Sequence, residues 1–420
     1  MTVFVPEIGF DALWYHLTLP KLWLLKQQWF FDGGLLYYSV MPRLTETLFI
    51  PLIKYTGFIG PKLLQYLSGI GVSFFIWKIS SKLKFPTITK SIAISLFYCT
   101  WLVSWQSGSA YIDLFRTLLE TIALYFLISG SWVKGGLMLG LSVGTKWLSL
   151  GSVGIFGVVF GLPLVLPALI TALPWFLISL KFTGNPIYPM FSPILENSLA
   201  PLSHTLSRAL LLPLTLALPF DDYLSPMIFI VVILSAFSLF DSDARVRKIS
   251  LIGLLGAIFS VSLDPPSSRY FLPYFPAMII AAVAIIDKLK PKLQLIIIFL
   301  VIISSLGILG LRIIADQKYF PYILGRQTLN NFLENHSGRL LDTFIDSDSF
   351  GEKNIPKDSK IIIDKLHNLY YFPYNYDHTS WAKSEMGYDY LITINTKPSE
   401  IEGELIHTNS VGIQIYKLKQ

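Results

Sequence analysis

Near its start the sequence sets a carboxylate and an imidazole close together, in Asp11-x-x-x-Tyr15-His16-x-x-x-Pro20. A carboxylate can take the proton of an attacking hydroxyl, and Tyr15, one turn on, would share its face of a helix. Asp11 has a second reading, as the cap of a helix that begins at Ala12. A second acid, Asp113, follows Gly108-Ser109-Ala110-Tyr111 and heads the apolar run Leu114-Phe115. A carboxylate is costly at a membrane boundary, although Asp is favoured electrostatically at any helix N-terminus. Arg269, Lys146 and His16 are the basic groups that accompany these acids. Each has a plainer reading: Lys146 snorkelling toward the interface, Arg269 anchoring a helix end at the headgroups, His16 holding an interfacial hydrogen bond. Glu120 lies deeper in its apolar run, where Arg116 one turn back is the natural structural partner.

The elements that position these residues are membrane helices. The chain has 420 residues, is 53% hydrophobic and only 14% charged, against roughly 25% charged in soluble domains. Candidate spans fall near 62–80, 91–106, 112–129, 135–149, 151–162, 164–181, 225–240, 249–264, 269–287 and 293–314. At roughly 20 residues per crossing this predicts an all-α polytopic bundle of about ten helices. The spans around Pro163 are short and fit a broken helix pair shielded by its neighbours.

The formal charge of +6 does not point to nucleic acid, because the basic residues gather in short loops. Lys78, Lys82, Lys84 and Lys90 fill one, Lys134 the next on that side, then Arg245, Arg247 and Lys248, then Lys288, Lys290 and Lys292. By the positive-inside rule these loops are cytoplasmic. The outer face then carries the N-terminal segment, the turn 107–113, the stretch 182–223, the turn 264–269 and everything after Ile314, so the candidate residues converge there. The lone Cys99 reads as a small buried hydrophobe. The first residues show neither a basic n-region nor an apolar core, so no signal peptide is read. An outer first segment calls for a preceding helix to carry it across, and a truncated or misassigned start is the expectation.

Residues 1–61 read as an outer-face loop with amphipathic helices. Trp14, Tyr15, Trp23, Trp29, Tyr37 and Tyr38 suit the headgroup level, with Lys21, Lys26 and Arg43 reaching lipid phosphates. Residues 62–314 form the transmembrane domain. Residues 315–420 read as a small extracytoplasmic α/β domain, with strands over 360–364, 388–395 and 411–418 and a helix over 327–335. Its aromatic cluster, Tyr370, Tyr371, Phe372, Tyr374, Tyr376 and Trp381, is either a small core or a sugar-stacking surface.

The ordered set Asp11…Tyr15-His16…Pro20, Pro42…Glu46, Tyr111-x-Asp113, Gly144-Thr145-Lys146-Trp147, Gly184-Asn185-Pro186-x-Tyr188-Pro189 and Arg269-Tyr270-x-Leu272-Pro273 resembles the bacterial integral-membrane glycosyltransferases of GT-C fold. It is most similar to the group related to dolichyl-phosphate-mannose protein mannosyltransferases and Rgt-type lipopolysaccharide sugar transferases. The resemblance implies a polyprenyl-phosphate sugar as donor and a glycan, lipid or protein as acceptor, with inverting transfer at the outer face of the cell membrane. It implies Asp11 as base and Asp113 as a second acid orienting the acceptor or a metal. Arg269, Lys146 and His16 would meet the donor phosphate, and Tyr15, Glu46 and Tyr270 the substrates. No metal-ligand spacing is present, so no cofactor is assigned and a divalent cation stays open. The sequence departs from the family pattern at its start, where the family's first membrane helix is expected ahead of Asp11 and is not read.

Three rivals keep the same membrane class. An O-antigen ligase or polymerase would use a diphosphate-linked donor. A transporter or flippase places polar sites at the midplane and often shows internal repeats, neither of which is seen here. A noncatalytic assembly protein would tolerate loss of Asp11 and Asp113.

Overall fold

The computed structural model describes residues 2–29, 31, 33–190, 192, 200–217, 224–337, 340, 342–382, 387–395 and 403–418. The stretch 182–223 therefore lies partly outside the described residues. In chain order the helices are α1 (Thr18–Lys26), α2 (Leu44–Thr56), α3 (Ile59–Lys82), α4 (Thr87–Tyr98), α5 (Trp101–Gln106), α6 (Asp113–Ile128), α7 (Trp132–Thr145), α8 (Ser149–Phe160), α9 (Val165–Thr183), α10 (Leu202–Leu210), α11 (Leu212–Ala217), α12 (Ile228–Phe237), α13 (Ala244–Val261), α14 (Ser268–Phe271), α15 (Phe275–Ile286), α16 (Pro291–Asp316), α17 (Phe320–Ile323), α18 (Leu329–His336) and α19 (Phe350–Asn354). Five strands follow: β1 (Ile361–Ile363), β2 (Tyr376–His378), β3 (Tyr390–Ile394), β4 (Gly403–Thr408) and β5 (Ile413–Leu418).

All ten apolar stretches are helical, but they are not ten full spans. Among the described residues four helices are long and apolar enough to cross a membrane: Ile59–Lys82, Leu162–Thr183, Ser268–Ile286 and Pro291–Ile323. The expected span 91–106 breaks between α4 and α5, where Thr100 caps α5 by accepting from the Val103 amide. Helix α6 has 16 residues, about 24 Å at 1.5 Å per residue, short of a ~30 Å hydrocarbon core. The bundle has a centre and a rim. Within its most apolar window, Ser268–Ile286 is 83% buried and Pro291–Ile323 only 11%, so the latter presents Leu295, Phe299, Ile302 and Leu306 outward.

Helices α7 and α9 touch through glycines one turn apart. A Cβ on Gly136 would lie 2.4 Å from the Leu164 carbonyl oxygen, one on Gly140 2.4 Å from that of Ala168, and one on Gly144 2.6 Å from the Trp175 indole nitrogen. Small residues at this spacing let the backbones close together, the usual device where lipid supplies no hydrophobic drive between helices. The contact fixes the C-terminal end of α7, where Lys146 follows.

Glu120 accepts from Arg116 Nε at 2.8 Å, from Ser142 and Ser149 at 2.9 and 3.0 Å, and from Ser152 at 2.8 Å. Ser152 also shares a 2.8 Å bond with the Tyr274 hydroxyl. This buried set ties α6, α7, α8 and the turn before α15 together, so the charge deep in the bundle is structural, with the partner its spacing predicts.

The C-terminal sheet has the order β2-β1-β3-β5-β4. Strand β1 is parallel to β2 and β3, while β5 is antiparallel to β3 and β4. The strands expected from 360–364, 388–395 and 411–418 are present. Strand β2 is only three residues, and β4 is an edge strand without a clean alternation, so neither announces itself in sequence. Helix α18 starts two residues later than the expected 327, because Thr328 caps it by accepting from the Asn331 amide. The aromatic cluster is mostly core: Phe372 is fully buried and Tyr370, Tyr374 and Tyr376 nearly so.

That core is shared. Leu19, Leu22, Trp23 and Leu36 from the N-terminal segment pack with Ile361, Ile363, Leu369, Phe372 and Ile392, so 1–61 and 315–420 meet in one apolar interior. Lys21 donates to the carbonyls of Tyr370 and Phe372, each at 2.6 Å, and Lys26 pairs with Asp377 at 3.3 Å. These lysines, expected at lipid phosphates, instead fasten the N-terminal segment to the C-terminal domain. Arg43 departs from expectation in the same way: it is buried, and it meets Glu46 and the Tyr38 carbonyl.

Candidate functional site

Asp11, Lys146 and Arg269 meet at a cavity of about 570 Å³ between the N-terminal segment and the ends of the helices. Three segments deliver them. Asp11 opens the π-helical turn Ala12–His16, Lys146 is the residue that stops α7 in extended backbone, and Arg269 lies in the first turn of α14. Ser267 caps α14 by accepting from the Arg269 amide at 3.3 Å.

Asp11 does not cap its helix: its side chain makes no cap hydrogen bond and accepts instead from Arg269 Nη1 at 2.7 Å. The same guanidinium donates through Nε to Asp113 at 3.0 Å and lies 4.5 Å from the Tyr111 ring centre. Asp113 also accepts from Lys146 Nζ at 2.9 Å and Gln106 Nε2 at 3.1 Å. Lys146 sits 5.5 Å from the Tyr270 ring centre. Neither cation is a headgroup anchor. Their side chains are 17% and 15% exposed for Lys146 and Arg269, and Asp113 not at all, so the two cations reach the cavity while the acid that aligns them lies behind its wall.

Glu46 is also behind the wall. Fully buried, it accepts from His16 Nδ1 and Arg43 Nη1, both at 2.7 Å. Burial draws His16 below the ordinary histidine value, and the opposing pull of Glu46 does not restore it, so the imidazole is neutral at pH 7 with its proton on Nδ1. His16 lines the cavity, and its buried Nε2 has no hydrogen-bond partner among the described residues. Burial tends to raise the Asp11 carboxyl, but Arg269, His16 and Lys146 together more than reverse this, leaving Asp11 below the usual Asp value. Asp11 is therefore ionised at neutral pH and held as an ion pair.

The cavity has two kinds of wall. Tyr15, Tyr37 and Tyr38 come from the N-terminal segment, whereas Trp147, Leu148, Leu150, Phe259 and Leu263 come from the bundle. Met190 lines it too, at the end of the Gly184–Pro189 motif, where Asn185 Nδ2 donates to the Met190 carbonyl at 2.7 Å.

No protein-family model matches the chain, and no curated protein matches it. Two crystal structures share its architecture. ArnT from Cupriavidus metallidurans, a GT-C glycosyltransferase, superposes in its undecaprenyl-phosphate-bound form with a TM-score of 0.64 at 13% identity, over 98% of this chain and 94% of that one. The apo form gives 0.63 at 12% identity with the same coverage. The chain has the GT-C fold.

Within this GT-C fold the structure brings Asp11, Tyr15, His16, Lys146, Arg269 and Tyr270 to one cavity and sets Asp113 and Glu46 one layer behind. Sequence reading missed Glu7. Its buried carboxylate accepts from the amides of Ile8, Gly9 and Ala110 at 2.9, 2.8 and 2.6 Å, clamping the turn before Asp113 against the N-terminal segment. Tyr371 fastens the same residue, accepting from its amide at 2.7 Å and donating to its carbonyl at 3.0 Å. An acid followed two residues later by Gly9 was the signal, but nothing local separates a clamp from a solvated loop acid. Among the described residues no group of three His, Cys, Asp or Glu side chains is placed to hold a metal. Asp11 and Asp113 are already met by Arg269 and Lys146.

Proposed function

We propose that this protein is a membrane glycosyltransferase that moves one sugar from a polyprenyl-phosphate donor to an acceptor at the outer face of the membrane. The carrying observation is that Arg269 and Lys146 face one cavity with Asp11, between an apolar wall and an aromatic one. ArnT, of the same fold, binds undecaprenyl phosphate, which supports a polyprenyl-linked donor. The isoprenoid would run along Trp147, Leu148, Phe259 and Leu263, with its phosphate at Arg269 and Lys146. Residues 62–314 supply the membrane-embedded part and 1–61 with 315–420 the outer part.

Chemically, the acceptor oxygen attacks the anomeric carbon as the bond to the phosphate oxygen breaks. The acceptor proton passes to Asp11, and the bonding pair leaves with polyprenyl phosphate. The phosphate goes from one negative charge to two, so cations already aligned by Asp113 stabilise the transition state more than the ground state. Inversion requires the acceptor hydroxyl to attack the face of the anomeric carbon away from the phosphate while remaining within reach of Asp11. Orientation rests on the basic loops. Arg245 donates to the Lys82 carbonyl, Lys288 pairs with Asp241, and Thr89 donates to Asp287, gathering those loops at the end away from the site, as a cytoplasmic side requires.

The test is release of free polyprenyl phosphate from a panel of labelled polyprenyl-phosphate sugars, with an envelope extract as acceptor. Wild type is expected to release it, and Asp11→Asn to lose on the order of 10²–10⁴ in rate, the scale of a general base. Full activity in Asp11→Asn would overturn the assignment of the base.

A further inference from the structure

We propose that the cavity carries a carbohydrate-acceptor subsite, with Tyr15, Tyr38 and Tyr37 as its stacking face and His16 Nε2 as its inner hydrogen-bond acceptor. The proposal rests on the transferase reading and narrows the acceptor from glycan, lipid or protein to glycan.

The three tyrosines form a ladder. Ring centres of Tyr15 and Tyr38 are 4.7 Å apart and those of Tyr38 and Tyr37 4.1 Å, and all three are half-buried on the cavity wall. The ladder begins one turn from Asp11, which places it beside the base and therefore on the acceptor's side of the anomeric carbon. It is rigid. Trp14 stands 5.3 Å from both Tyr15 and Tyr38, its indole N–H fixed on the Leu35 carbonyl at 3.2 Å. Behind, the Arg43 guanidinium lies 5.1 Å from the Tyr15 ring centre and 5.7 Å from that of Tyr38. Flat faces held in this way suit the C–H surface of a sugar ring, with hydroxyl tips left for polar contacts.

His16 supplies what an apolar acceptor would not need. Its ring lies 4.3 Å from that of Tyr15, and its Nδ1–H donates to Glu46. The remaining Nε2 is a lone-pair acceptor, buried and without a partner among the described residues. A buried acceptor without a donor is costly until something donates to it. A lipid tail has no O–H to offer and a phosphate oxygen would meet a lone pair, whereas a hydroxyl satisfies it, and beside a stacking face of three tyrosines that hydroxyl is a sugar's rather than a Ser or Thr side chain's. This gives His16 a role on the acceptor side in place of the phosphate contact that the family resemblance implies.

The experiment uses the full chain in lipid nanodiscs with a labelled polyprenyl-phosphate sugar and three acceptor probes: lipid-free synthetic oligosaccharides, phosphatidylethanolamine, and a Ser/Thr-rich peptide. Oligosaccharide is expected to stimulate polyprenyl phosphate release. Tyr37→Ala should raise its KM about tenfold, the effect of losing one aromatic anchor, with donor KM unchanged and a smaller rise in Tyr37→Phe, which keeps the ring face and loses only the hydroxyl. His16→Asn, which keeps an N–H for Glu46 and removes Nε2, should raise the same KM. Stimulation by phosphatidylethanolamine or peptide alone would overturn the proposal, as would a Tyr37→Ala effect on donor KM only. Saturation-transfer NMR of the oligosaccharides against wild type and Tyr37→Ala separates the two readings. No turnover with any probe counts against the transferase, whereas turnover or glycan binding indifferent to Tyr37 counts against the subsite.

Discussion

Replacing Asp113 by Asn tests whether the two cations are held in place by the acid behind them. Asp113 receives Lys146 at 2.9 Å and Arg269 at 3.0 Å and has no exposed surface. At an effective dielectric of 20, each contact has a Coulomb energy of about 5–6 kcal/mol before desolvation. Breaking a buried pair costs about 3–5 kcal/mol net, and because Asn keeps one carbonyl acceptor the lower end, about 3 kcal/mol, applies. If that energy appears in the transition state, turnover falls on the order of 10². Binding should move the other way. Removing a negative charge beside the cations lessens repulsion of the donor phosphate, so donor KM should stay level or fall. The assay is initial-rate release of polyprenyl phosphate over a range of donor concentrations in nanodiscs. Turnover within threefold of wild type, or a raised donor KM at unchanged kcat, would refute the view of Asp113 as the residue that positions Lys146 and Arg269.

Other perturbations follow from the same structure. Gly140→Ala sets a Cβ 2.4 Å from the Ala168 carbonyl oxygen and should lower stability by about 1–3 kcal/mol. Its activity should fall with it, because α7 carries Lys146, whereas Gly154→Ala, with nothing within 4 Å, should leave thermal midpoint and turnover unchanged. Glu46→Gln removes the charge that Arg43 and His16 share and should cost about 3 kcal/mol or more, seen as a lower melting midpoint in detergent; an unchanged midpoint would contradict the buried network. Burial pulls Lys21 down to about 8 from an ordinary 10.5. The unfolded chain then holds the extra proton between those values, so the burial penalty is full below about pH 8 and fades as pH rises toward 10.5. Thermal midpoints taken from pH 7 to 10 should therefore show a rising contribution that Lys21→Met abolishes, and identical pH profiles would exclude it.

Residue types and spacing alone determine much of this molecule. Long apolar runs cannot be soluble loops, so the helical membrane character follows from composition. A charge inside such a run needs a partner within reach, so Arg116 four residues before Glu120 foretells that pair. Asp11, Asp113, Lys146 and Arg269 stand out because their cost beside a membrane demands a reason. Other features depend on packing between distant segments. Among them is how many apolar runs become full-length helices, because α4 and α5 part at a capping threonine inside a run of unbroken apolarity. The fate of Asp11 is another: its spacing allows a helix cap as readily as a base, and Arg269, 258 residues away, takes the carboxylate instead. Lys21 and Arg43 read as surface cations until the C-terminal carbonyls and Glu46 enclose them. Local sequence records which groups are expensive to bury. Only the tertiary fold decides which partner compensates each, because that energy depends on distance and solvent exclusion between segments that share no local pattern.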